Sequence, residues 1–82
     1  MDELMLKRVR QTISDVMDTS LGRISLQSSS DDFETWDSLK HLILVLALEE
    51  EFQVHFAPEE IAEMLNVEAI VLMVVKRLGG GN

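Results

Sequence analysis

Cysteine is absent from this chain of 82 residues. No disulfide, thiolate nucleophile or sulfur-ligated metal is therefore available to it. Bases are scarce as well, with 7 Lys and Arg against 15 Asp and Glu, for a net charge of −8. That balance repels nucleic acid and disfavours a nucleic-acid partner. Apolar runs such as Leu42 to Leu48 fall far below the ~18 residues of a membrane span, so no membrane insertion is expected. The opening Met1 to Leu6 lacks the basic start and long apolar core of a secretory signal. Together these absences predict a soluble protein and fit a cytoplasmic one. A chain of this length is expected to form one domain, residues 1–82, that buries only about 60 to 70% of its unfolded surface. A deep, dry catalytic cavity is not expected.

What is present is concentrated in the middle. The run from Trp36 to Phe52 joins a polar approach, a serine, an apolar segment and an acidic end. Leu39, Leu42, Ile43 and Leu46 recur at helical spacing, and Leu44, Val45 and Leu48 extend the apolar surface around them. A helix apolar on most sides is expected to be wrapped by others. Asp37 is placed to cap its first turn, leaving Ser38 as the first helical residue with its hydroxyl outside the core. Free N–H groups and the macrodipole at such a position favour a phosphate. Charge follows the same division. Asp31 to Glu68 holds eleven acids against Lys40 alone, a block of −10, while the remainder carries +2. The block is either a solvated face or a surface for basic partners.

Around this segment the pattern predicts further helices. Leu6, Val9, Ile13 and Val16 form one face of a first helix from about Asp2 to Val16 or Met17. From Asp18 to Thr35 turn-forming residues accumulate, and Leu21, Ile24, Leu26 and Phe33 are suited to pin this long connection onto the helices. Ser28 to Asp32 lacks the glycine of a calcium loop and reads as a plain loop. Gln53 to Phe56 reads as a loop burying Val54 and Phe56, since a lone strand would leave its edges unpaired. Pro58 suits the start of a short helix to about Met64. Asn66 is placed to cap a last helix with Val67, Ile70, Val71, Val74, Val75 and Leu78 on one stripe, and Gly79-Gly80-Gly81 to stop it. Residues 79–82 are expected to form a flexible tail.

The run Asp37-Ser38-Leu39, followed at Leu44 by Leu-Val-Leu-Ala-Leu-Glu-Glu-Glu-Phe, resembles the acyl carrier proteins, and the likeness extends over essentially the whole chain. The resemblance implies an all-α, four-helix bundle of three longer helices and one short one, with a long loop between helices one and two. It also implies that Ser38 carries a covalent 4'-phosphopantetheine arm, loaded by a phosphopantetheinyl transferase, and that the chain is not an enzyme. The same likeness gives Asp37 a role beside the transferase's magnesium ion and places Leu39 against partners and arm. Lys40, Glu49, Glu50 and Glu60 are then docking positions for acyl-loading and acyl-processing enzymes with basic surfaces. Helices two and three border a cleft for an acyl chain in that family. Leu42, Leu46, Ile61, Ile70 and Val74 are either an ordinary core or the lining of that pocket, with Met5, Met17, Met64 and Met73 able to adapt it.

Three departures separate the chain from carriers of primary fatty-acid synthesis. Lys40 stands where many have an acid, Ile43 replaces a glutamate on the docking helix, and Trp36 replaces a small residue. Trp36 either shields the base of the arm or packs on the long loop. Taken without the resemblance, Ser38 is a helix cap. His41, three residues on, makes no hydrolytic pair with it because no oxyanion turn surrounds them. It is expected at the surface beside the arm, with His55 in a loop and no metal-ligand spacing between the two. The expected function is a freestanding, monomeric acyl carrier for fatty-acid, polyketide or related specialised synthesis. An aminoacyl or alanyl carrier and an unmodified helical adaptor are the alternatives.

Overall fold

A computed structural model describes residues 3–79. It contains α1 (Glu3–Met17), α2 (Ser38–Phe52), the short α3 (Pro58–Ala62) and α4 (Val67–Gly79), with two single 3-10 turns at Leu21–Arg23 and Ser30–Asp32. α1 packs against both α2 and α4. The expected fold class holds: three longer helices, one short one and a long first loop.

Local chemistry sets the boundaries. Asp37, in extended conformation, accepts the Lys40 N–H at 2.8 Å, so α2 starts at Ser38. Gln53 ends that helix in the left-handed region at φ 56°, and the Val54 N–H returns to the Glu49 carbonyl at 3.1 Å. Pro58 opens α3, where its missing N–H costs nothing. Asn66 Oδ1 accepts the Ala69 N–H at 2.8 Å as the cap of α4. The long loop completes that cap, because the Val67 and Glu68 N–H groups donate to the carbonyls of Ser28 and Leu26 at 2.9 and 3.0 Å. α1 holds the other side of the loop: Arg10 donates to the carbonyls of Leu21 and Ile24, both at 2.9 Å. Ile24 and Phe33 are buried and Leu21 and Leu26 half-buried, as their spacing in the connection suggested.

The core is built from Val9, Ile13 and Met17 of α1, Leu44, Val45, Leu48 and Phe52 of α2, and Val67, Ile70, Val71 and Val74 of α4. Two expectations are corrected here. α2 is not wrapped on all sides: Leu42 and Leu46, assigned to the interior, are 53% and 64% exposed. Only one line of the helix meets α1 and α4, and from Leu42 to Leu48 no polar residue marks which. α4 likewise turns Val75 and Leu78 outward. Gly79 is the last residue of α4 rather than the first of a tail; Gly80 to Asn82 and Asp2 lie outside the described residues.

Candidate functional site: the leading turn of α2

The start of α2 presents an exposed hydroxyl on a rigid mount. Ser38 occupies the first helical position, with Asp37 before it and Leu39 after it, all three exposed. The first-turn N–H groups of a helix have no acceptor within it. Asp37 occupies the one from Lys40, and among the described residues nothing accepts from those of Ser38 and Leu39. Two free donors and the positive end of a 15-residue helix thus surround the hydroxyl. A phosphodiester on that oxygen fits the chemistry: unfilled donors at a helix N-terminus favour its charge, and Ser38 is exposed to a modifying enzyme.

The mount is held from three directions. Thr35 Oγ1 donates to the Met17 carbonyl at 3.1 Å, tying the approach to the end of α1. Lys40 Nζ lies 3.4 Å from the Val16 carbonyl, where a cation complements the negative end of that helix. Trp36 is 3% exposed, with its ring centroid 6.4 Å from that of Phe33, and its indole N–H donates to His41 Nδ1 at 3.1 Å. The other imidazole nitrogen, Nε2, lies 3.2 Å from the carbonyl of Ile61 in α3. Of the two readings left open for Trp36, packing beneath the loop is the one observed. His41 is corrected: it is half-buried, and both ring nitrogens are committed within the protein rather than turned toward an arm.

Beside Ser38 an open cleft of about 640 Å³ runs between α2 and α3, lined by Trp36, His41, Leu42, Ile61, Met64 and Leu65 among others. Along the outside of α2, Leu39, Leu42, Ile43 and Leu46 stand 66%, 53%, 41% and 64% exposed, a continuous apolar stripe leading away from the serine. The helical spacing of these four was legible in the sequence. The outward direction of Leu42 and Leu46 was not, although the resemblance set Leu39 against partners and likened position 43 to a docking position.

The acidic positions divide. Glu50 is exposed. Glu49 turns inward, accepting the Phe56 N–H at 2.9 Å with its side chain 19% exposed and the open imidazole of His55 3.8 Å away. Glu60 is a correction to the expected docking set. Its carboxylate is ion-paired with Arg77 of α4 and accepts the Ala57 N–H at 2.8 Å, with 10% of its side chain exposed. The hydrogen bond from Arg77 chiefly, and that from Ala57 next, hold its carboxyl below the usual carboxylate range despite the opposing cost of burial. This glutamate fastens α3 to α4 instead of meeting a partner.

Known proteins share this fold. The family described as the phosphopantetheine attachment site matches residues 7–74. The chain is also similar to the solution structure of a holo acyl carrier protein from Geobacter metallireducens, at TM-score 0.84 and 27% identity, over 94% of this chain and 88% of that one. No curated protein matches. Carriers of this kind are not themselves catalytic; their covalent chemistry belongs to the prosthetic group. With most of its length matched and its fold shared, the chain belongs to the phosphopantetheine-attachment family of carrier proteins, whose working group is a covalently attached phosphopantetheine.

Proposed function

We propose that this is a single-domain acyl carrier whose arm is attached to Ser38. The observation that carries the reading is the exposed hydroxyl at the first position of α2, flanked by two unfilled N–H donors and opening onto both a cleft and an apolar stripe. The bound arm supplies a terminal thiol that holds acyl groups as thioesters. The chain's own residues do the rest. Asp37 fixes the turn with Oδ1 and, being exposed, is available to a transferase's metal ion. Leu39, Leu42, Ile43 and Leu46 offer partners an apolar strip, and Glu50 on the same helix draws basic surfaces toward it.

Exposed ion pairs contribute about 0.2 to 1 kcal/mol each, so docking through them is weak and salt-sensitive, as suits a protein that must leave each enzyme after use. Ile43 in place of an acid and Lys40 turned toward Val16 make this surface more apolar than a purely electrostatic one. That difference supports partners in polyketide or other specialised synthesis over those of primary fatty-acid synthesis. Incubation with a phosphopantetheinyl transferase and coenzyme A tests the attachment: intact mass is expected to rise by one phosphopantetheine, and not in Ser38→Ala. No gain in the parent protein, or a gain that persists in the variant, overturns the reading. Loading with acyl against amino-acid adenylating enzymes then separates the acyl carrier from an aminoacyl or alanyl one.

A further inference from the structure

The cleft beside Ser38 ends on a polar crossing. His41, from α2, reaches the Ile61 carbonyl of α3 through Nε2 at 3.2 Å while its Nδ1 lies 3.1 Å from Trp36 Nε1. An indole N–H only donates, so Nδ1 is the bare acceptor and Nε2 carries the proton that bridges to α3. The tautomer is fixed by these two partners. His41 also stands on the same helical line as Val45 and Leu48, four and seven residues on, which are 3% and 0% exposed. A chain passing from the cleft along that line into the core has to displace the imidazole.

We propose that His41, held by Trp36, is a gate that closes the seam between α2 and α3 and keeps a tethered acyl chain in the open cleft, outside the helical core. The inference rests on Ser38 bearing the arm. An apolar chain gains by leaving water, which draws it toward the interior. Opening this seam, however, takes the acceptor from the indole N–H of the buried Trp36 and breaks the imidazole's bond to α3, where the Ile61 carbonyl keeps only the Met64 N–H at 3.2 Å, and the loss of these bonds opposes it. The cargo therefore stays in reach of partner enzymes, and its length is not read by the core. His41 acts here as a specificity determinant by position, touching neither the arm's phosphate nor its thioester.

Methyl-labelled holo protein, compared with and without an octanoyl group, tests the gate. In the parent protein the shift changes are expected at Leu42, Ile61 and Leu65 and not at Val45, Leu48 or Ile70. In His41→Ala, and in Trp36→Phe, which keeps a ring in place but loses the donor, the interior methyls are expected to move as well. Interior shifts in the parent, or none in a folded variant, overturn the proposal. Should His41→Ala fail to fold, Trp36→Phe decides alone. Nitrogen shifts of His41 in the unmodified protein give a reading independent of the arm: a bare Nδ1 and a protonated Nε2 support the gate, and the opposite or an averaged tautomer overturns it. Failure of Ser38 to accept the arm is seen separately, in the intact mass.

Discussion

The two sides of α2 are built from the same few residue types and lead opposite lives. Leu44, Val45, Leu48 and Phe52 are at most 5% exposed, while Leu39, Leu42, Ile43 and Leu46 are at least 41% exposed. Composition does not separate them. What separates them is which line of the helix faces α1 and α4, and that is fixed by the mounts at its start: Lys40 on the Val16 carbonyl, Trp36 beneath the loop and His41 on α3. An outward apolar line beside an exposed serine is a surface kept for something else. On the proposed function the helix is a core element and a docking element at once, and its two lines respond to different tests.

The largest effect is expected inside. Leu48→Ala empties a fully buried site and is expected to cost about 2 to 5 kcal/mol in urea unfolding, whereas Leu46→Ala on the outer line is expected to cost less than about 0.5 kcal/mol. Equal losses at the two positions would erase the distinction. Conversely, Leu46→Ala together with Leu42→Ala is expected to weaken complex formation with an acyl-processing enzyme by about 1 to 2 kcal/mol, read by calorimetry, with the melting curve nearly unchanged. Asp37→Ala lies at the junction of the two lines. Loss of this cap is expected to cost about 1 kcal/mol of stability.

Much of this was readable in advance, and for identifiable reasons. Asp37, Pro58 and Asn66 are punctuation whose chemistry acts within a few residues, so the starts of α2, α3 and α4 follow from sequence. The orientation of α2 depends on contacts with residues far along the chain and on a helix without a polar side to mark solvent. Periodicity finds the line Leu39, Leu42, Ile43, Leu46 but not its direction: the resemblance sets Leu39 against partners, while Leu42 and Leu46 read as interior and are exposed. His41 was placed beside the arm because it is near Ser38 in sequence; its actual acceptor is a backbone carbonyl twenty residues on, which no spacing reveals. Glu60 was grouped with the docking acids by charge, and only the fold brings Arg77 to it.

The acids repeat the comparison on a smaller scale. Glu60 is a fastening residue, and its lowered carboxyl makes it pH-dependent. Its stabilisation is fully present above the ordinary carboxylate pKa and is lost as the pH falls through the lowered value. The melting temperature of the parent protein is accordingly expected to exceed that of Glu60→Gln near neutrality, with the gap narrowing on acidification; a gap that widens contradicts the assignment. Glu50 is an outward acid. Glu50→Gln is expected to weaken partner binding by only about 0.2 to 1 kcal/mol, with the difference fading at high salt.

The central claim concerns one hydroxyl among several nearby. Tryptic cleavage after Arg23 and Lys40 releases residues 24–40, a peptide that holds Ser38 together with Ser25, Ser28, Ser29, Ser30 and Thr35. Tandem mass spectrometry of that peptide from transferase-treated protein is the most direct measurement. The phosphopantetheine is predicted on Ser38 alone; an unmodified peptide, or the group on any of the other hydroxyls, contradicts the account.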